Sequence, residues 1–443
     1  MLFVFAVLSA LASPLAAQAP HLEELVEQEL PTLIATYKEL HAAPELSHHE
    51  EHTGAFVAQR LRALGYTVAD HVGKYERSEW TGYGVVSVLK NGAGPTVLVR
   101  TELDALPVEE KTGLPYASKV RAKDDAGRKV SVMHACGHDV HMTSLLGTAQ
   151  VLAQLRGQWH GTLVLIAQPA EETINGASAM LADGLYTRFP KPDYALALHD
   201  SAAVPAGKVG YTPGFALAAS TTVEVTMRGL GGHGSAPQLG KDPIVAAAEF
   251  ILALQTIVSR ENSPFDPAVV TVGSIQGGTK ANIIPDDVHM ALTVRTYREE
   301  VRHRILASID RIARGIALAD GIPADLAPIV KTSDTEYTPP LYNDPKLTGR
   351  LAGVFRKALG AQNVVQSPPI MASEDFGRFG LEDRQIPTCM FTLGAVDAAK
   401  LAESEKTGKP LPGPHSSLFA PLPEPTIRTG VMAMSAAVLD LMK

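Results

Sequence analysis

Cysteine is scarce in this chain. Two residues, Cys136 and Cys389, are too few for a disulfide framework in 443 residues, so stability has to come from buried apolar cores. Excess positive charge is also missing. The 39 Lys and Arg face 47 Asp and Glu, and the net charge of -8 argues against a nucleic-acid backbone or an anionic membrane as the main partner. No charge run is long, and an apolar share of 45% is that of a folded soluble protein rather than a disordered one. Long apolar runs are lacking too. The stretch 2–15 carries no charge but is too short to span a bilayer comfortably, and Ala16-Ala17-Gln18-Ala19-Pro20 follows it. It reads as the h-region of a signal peptide over 1–19, although the n-region has no Lys or Arg. The expectation is an exported protein, periplasmic or secreted, with no integral membrane span in its mature form.

The length suggests two or three domains. Helical periodicity runs over 21–40, and a second helix over 47–64 has acidic residues and His at its start and Arg60 and Arg62 near its end, in the order the helix dipole favours. Apolar runs of strand length follow at 84–89, 96–100, 161–167 and 194–198, with a helix at 143–155 between them. Strands alternating with helices imply an α/β fold with a mostly parallel sheet covered on both faces. The charged stretch 120–129 reads as an exposed loop or hairpin. From 219 the order changes to strand 221–228, helix 243–260, strands 268–275 and 288–297, helix 299–319 and a last strand at 324–332. That order, β-α-β-β-α-β, is the ferredoxin-like split unit. A helix at 345–359, a strand at 388–393 and a helix at 425–442 then resume the first pattern. The expectation is therefore an α/β domain built from two segments, 20–218 and 334–443, interrupted by an inserted lid over 219–333.

The stretch His134-Ala135-Cys136-Gly137-His138-Asp139-Val140-His141 concentrates metal-binding side chains. Cys136 and His138 are two apart, and in loop backbone their side chains can reach one ion. A thiolate with an imidazole suits zinc, manganese or cobalt better than calcium or magnesium. Open α/β sheets bind ligands at the carboxyl ends of their strands. There the chain places Glu102 and Asp104, then Gln168-Pro169-Ala170-Glu171-Glu172, then His199-Asp200, and later Pro414-His415-Ser416. Adjacent Glu171 and Glu172 point to opposite sides in extended backbone, so one can hold a metal while the other faces water. Singly, each has an ordinary structural reading: a helix-starting Glu pair, a core-edge His199, a loop His415. Cys389, in an apolar run, reads as core filler.

The ordered set His-Ala-Cys-Gly-His-Asp-x-His, Gln-Pro-Ala-Glu-Glu, Leu-His, Gly-Gly-His-Gly-Ser-Ala-Pro, Glu-Asp-Phe and His-Ser resembles the aminoacylase and carboxypeptidase family of di-metal metallopeptidases. Within it the likeness is to the amidohydrolase branch of hippurate and auxin-conjugate hydrolases. The resemblance implies a zinc-peptidase-like catalytic domain with an inserted ferredoxin-like lid that often dimerises. It implies two divalent ions per subunit, zinc, manganese or cobalt/nickel, held by Cys136, His138, Glu172, His199 and His415, with Cys136 bridging. It makes Glu171 the general base, and His233 and Asn282 the lid residues that hold the substrate carboxylate or the oxyanion, in some relatives from the partner subunit. Two positions depart from the branch. Glu102 stands where Asp is usual and is kept out of the metal set, while Asp104 is read as orienting a ligand. Asp200 replaces an apolar neighbour and bears on substrate preference. His134, Asp139 and His141 are read as supporting residues.

The expected function is hydrolysis of the amide bond of small N-acyl amino acids by metal-activated water. The alternative is a dipeptidase or metallocarboxypeptidase with the same metals. An exported metal- or peptide-binding protein without catalysis would not need Glu171.

Overall fold

A computed structural model describes residues 21–381 and 384–443; the leader expected over 1–19 lies outside them. An eight-stranded sheet forms the centre, in the order Thr67–Val72, Gly84–Asn91, Gly161–Gln168, Thr96–Glu102, Tyr194–Pro205, Thr388–Val396, Val209–Tyr211 and Val364–Gln366. The inner neighbours from Gly161–Gln168 to Thr388–Val396 run parallel, and antiparallel pairs lie towards both edges. The inner strands read as unbroken apolar runs because both faces are covered, and their residues are buried almost throughout. One face packs against the helices Leu22–Ala42, His138–Gln154, Pro345–Leu359 and Pro423–Leu441 through Leu25, Tyr37, Leu145, Phe355 and Val431. The other is closed by Ala177, Met180, Phe376 and Phe379. The chain is thus a mixed α/β protein with a mostly parallel central sheet.

A second sheet of four antiparallel strands stands apart: Ala268–Gly277, Asp287–Thr296, Ala219–Arg228 and Ile329–Thr338. Taken in chain order, its strands lie second, third, first, fourth, which is the split-unit topology. Alternate residues of Asp287–Thr296 are buried, and they meet the helices Pro243–Thr256 and Glu299–Ala319 on one face. Among the described residues, Pro243–Glu261 is the one helix long and apolar enough to cross a membrane, and Ala246, Ala247, Phe250 and Leu254 pack it onto this sheet instead.

Several boundaries differ from the expectation. The helix placed at 143–155 begins at His138, because His138, Asp139 and His141 find buried polar partners and so belong to the helix without disturbing its packing. The helix placed at 47–64 begins at Glu51 and leaves 47–50 as a turn. The last strand of the small sheet starts at Ile329, after a short turn of 3-10 helix. The charged stretch 120–129 is a hairpin, Arg121–Lys123 against Lys129–Ser131.

Phe250 is fully buried between its helix and the small sheet. Phe250→Ala should destabilise this domain by about 3–5 kcal/mol, measured as a lower denaturant midpoint; an unchanged midpoint would contradict this packing.

Candidate metal centre

The parallel strands Thr96–Glu102, Gly161–Gln168 and Tyr194–Pro205 bring Asp104, Glu171, Glu172 and His199 to one edge of the sheet. The loop His134–Gly137 crosses that edge. Gly137 holds φ +81 at the cap of the His138 helix, and a Cβ there would come 2.2 Å from Asp200 Oδ2. Both the backbone and the space therefore require glycine. His415 arrives from the far end of the chain, and its N–H donates to the Ala135 carbonyl at 2.7 Å.

Several trios of donor atoms result, among them His138 with Glu171 and Glu172, and two meet at one sulfur. Cys136, His138 and His199 form one, and Cys136, Glu172 and His415 the other, each with donor atoms within 4.8 Å of one another. They share Cys136. Its sulfur is 3.5 Å from His199 Nε2, while His415 Nε2 is 3.4 Å from Glu172 Oε2. The outer nitrogens of the two inner imidazoles are already used: His138 Nδ1 donates to the Asp104 carbonyl and His199 Nδ1 to the Asp200 carbonyl, each at 2.8 Å. That leaves each Nε2 with its lone pair facing the trio. Glu171 Oε2 lies 3.7 Å from His138 Nε2, beside the two Cys136 trios and outside both.

Side-chain chemistry fits divalent cations here. Among the described residues, His138 Nε2 and Glu172 Oε1 are buried without a hydrogen-bond partner, and they face each other at 3.9 Å. Burial raises the proton affinity of Glu172 to about 7 against the opposing pull of His138. Burial and the carboxylates of Glu172 and Glu171 push the Cys136 thiol up. Cations among these donors would offset both penalties. Cys136 and Cys389 are free, the latter buried in the core beside Thr348.

The remaining residues divide between support and distance. Asp104 Oδ2 accepts from Ser47 Oγ at 2.6 Å and from the Glu172 N–H at 2.9 Å, so Asp104 sits behind both trios. Glu102 turns away to Arg100 and accepts from His141 Nδ1 at 2.9 Å. His141 Nε2 in turn accepts the Asp200 N–H at 3.0 Å. His134 is buried, and burial lowers its pKa to about 4. Asp200 is buried, and among the described residues neither of its carboxylate oxygens is hydrogen-bonded. His233 and Asn282 are exposed on the small domain, with His233 in a two-residue strand against Ile283–Ile284. Neither lines the groove over the trios.

That groove, about 770 Å³, has Ile174, Leu217, Ile370 and Met390 as apolar lining. Arg295 is its one Lys or Arg among the described lining residues, and its Nη1 donates to Ser373 Oγ at 2.7 Å. Sequence reasoning missed Arg295. The alternation of Asp287–Thr296 places it on the open face of its strand, but not against which neighbour. Arg100 was missed as well. It is fully buried, with Nη2 at 2.7 Å from Glu374 and 3.0 Å from Asp375, and its Nε donates to Gln168 at 2.9 Å. A larger cavity of about 1120 Å³, lined by Phe215, Tyr297, Tyr342 and Arg384, contains none of the donors.

Comparison with known proteins agrees with this geometry. Residues 98–407 match peptidase family M20/M25/M40. The chain is 39% identical over 343 residues to a hippurate hydrolase of Campylobacter jejuni, covering 77% of this chain and 83% of that one. It is 37% identical to an N-acetyl-L-cysteine deacetylase of Bacillus subtilis, over 78% of this chain and 77% of that one. The crystal structure of Bacillus subtilis YXEP, a dinuclear metal-binding peptidase of the M20 family, superposes with a TM-score of 0.72 at 27% identity, over 94% of this chain and 99% of that one.

The helix carrying His138 is tied to the first helix by His41, whose Nδ1 is 2.6 Å from Asp139 Oδ2 and whose Nε2 is 3.1 Å from Glu110 Oε1. Burial opposes the imidazolium, but the bonds to Asp139 and Glu110 outweigh it and raise the pKa from 6.5 to about 9. Because the folded value is the higher one, this stabilisation is complete below about 6.5 and is lost as pH rises through about 9. Denaturant midpoints should fall across that window, and His41→Asn should flatten the fall.

Proposed function

The chain belongs to peptidase family M20/M25/M40, and within it we propose a metal-dependent amidohydrolase that splits N-acyl amino acids into a carboxylic acid and a free amino acid. The observation that carries this reading is the pair of donor trios meeting at Cys136 with Glu171 beside them. Two divalent ions held there would supply the Lewis acidity that makes water nucleophilic near neutral pH. The thiolate and imidazole donors favour zinc, manganese, cobalt or nickel over calcium.

The protein's own groups do the rest. Burial, then Glu374 and Glu172, raise the proton affinity of Glu171. It accepts the proton of the attacking water and delivers it to the amide nitrogen as the C–N bond breaks. Arg295, across the groove, pairs with the substrate carboxylate. The apolar wall of Ile174, Leu217, Ile370 and Met390 accepts the acyl group or the amino-acid side chain. The hippurate and N-acetylcysteine names of the relatives support a small acylated amino acid over a free dipeptide.

The domain over 219–333 acts in this reading as a lid, and His233 and Asn282, exposed and outside the groove, come to the substrate from the lid of a second copy. Ile244, Val245 and Leu252 on the lid helix and Ile275 on the edge strand are exposed apolar side chains suited to that contact. The apolar run 2–15 with its Ala17-Gln18-Ala19 site supports export in the same reading.

Glu171→Ala should lower turnover of hippurate or N-acetyl amino acids by about 10²- to 10⁴-fold with both metals retained, whereas Cys136→Ala should lose metal as well. Wild-type rates in Glu171→Ala would end the base assignment, and faster cleavage of dipeptides than of acylated amino acids would favour the peptidase alternative. Sedimentation should give a dimer that Leu252→Asp with Ile275→Asp splits into inactive monomers. Active monomers would rule out donors from a second copy.

A further inference from the structure

The catalytic pair Glu171-Glu172 sits in a loop that the chain does not hold by regular structure. On either side of the pair, Ala170 and Ile174 adopt left-handed backbone, φ +51 and +52, where side chains other than glycine are strained. Inside the loop, the Ile174 N–H reaches the Glu171 carbonyl at 2.7 Å and the Gly176 N–H reaches the Ala170 carbonyl at 3.1 Å. Strain of this kind persists only where the surroundings enforce it. The turn at 47–50, which precedes its own helix, meets the loop directly through Glu50 and His48 and indirectly, by way of Asp104, through Ser47. Glu50 is fully buried, and its Oε1 accepts the Ala170 N–H at 2.7 Å. Ser47 Oγ donates at 2.6 Å to the Asp104 oxygen that also takes the Glu172 N–H. His48 Nε2 is 3.2 Å from Asn175 Oδ1, and its ring lies flat on Trp80 at 3.7 Å.

We propose that the 47–50 turn is a clasp that forces the 170–175 loop into its strained path, and that Glu50 is the positioning residue that aims Glu171 and Glu172. Glu50 touches neither donor trio. It acts through the backbone of Ala170, whose φ sets the direction in which the next two side chains leave the chain. Glu50 Oε1 is the buried oxygen acceptor that the Ala170 N–H uses, and among the described residues Oε2 has no hydrogen-bond partner. Misplacement of a reacting group by about 1 Å costs roughly 10²-fold in rate, and loss of a group that orients a metal ligand costs about 10- to 100-fold in metal affinity.

The proposal rests on the functional reading above for its kinetic arm only; its metal arm does not. Zinc would be titrated into the metal-stripped full-length protein, and turnover of hippurate measured on the loaded enzyme. Glu50→Ala should weaken the second zinc equivalent by about 10- to 100-fold with the first unchanged, and lower kcat by about 10²-fold with KM little changed. Glu50→Gln keeps an oxygen for the Ala170 N–H and should stay near wild type. Ala170→Gly relieves the strain, so adding it to Glu50→Ala should recover part of the lost kcat and zinc affinity. If Glu50→Ala does not fold, Ser47→Ala carries the test, with the same loss of the second zinc expected. Wild-type zinc binding in both variants, equal losses in Glu50→Ala and Glu50→Gln, or no recovery in the double variant would each overturn the clasp. If the wild type cleaves no acylated amino acid, the functional reading fails and the zinc titration alone decides the clasp.

Discussion

Buried negative charge is the constraint on which the rest of this protein depends. Glu50, Glu102, Asp104, Asp139, Glu171, Asp200, Glu374 and Asp375 all lie buried around one edge of the sheet. An isolated carboxylate in such surroundings costs several kcal/mol, and only paired or coordinated ones persist ionised. Arg100 takes Glu102, Glu374 and Asp375, His41 takes Asp139, and the Glu172 N–H takes Asp104, while burial pushes the Glu50 carboxyl up and it accepts the Ala170 N–H. Glu172 belongs to a donor trio and Glu171 stands beside it, where divalent cations would supply the missing positive charge. The loops at the strand ends follow paths that satisfy this balance, and the strained backbone at Ala170 is one result.

Cys136, His138, Glu172, His199 and His415 were expected together from the resemblance, since Glu172, His199 and His415 each have an ordinary reading alone, and the structure brings all five together. The strand-helix alternation was legible because a doubly covered sheet leaves long apolar runs. The start of the His138 helix was not. Its first turn is made of polar residues, and only their distant partners explain why they are buried. Arg100 is separated by 274 positions from Glu374, and Glu50 by 120 from Ala170. No local pattern carries such pairings, so neither residue announces its role. Arg295 lies between these cases: strand alternation gives its face, while most of the groove it meets is lined by residues outside its own sheet.

Within one copy of the chain His233 and Asn282 lie outside the groove, as donors supplied by a second copy would. In sequence they stand where the resemblance puts them. A motif specifies a local shape, and the two-residue strand pairing around His233 keeps that shape. What the shape is pressed against is a property of domain arrangement, which short motifs do not encode.

The bond from the His415 N–H to the Ala135 carbonyl also sets an order in time. A polypeptide is made from its N-terminus, so Cys136, His138 and His199 are all available while the inserted domain is still being synthesised. The second trio has to wait for His415, close to the end of the chain. A nascent chain halted inside the small domain lacks His415, the strand Thr388–Val396 that pairs with the His199 strand and the helix Pro423–Leu441 that packs on the His138 helix, so the site is framed only in a nearly complete chain. Hydrolytic competence is thereby withheld, by the order of synthesis itself, until the polypeptide is almost entirely made.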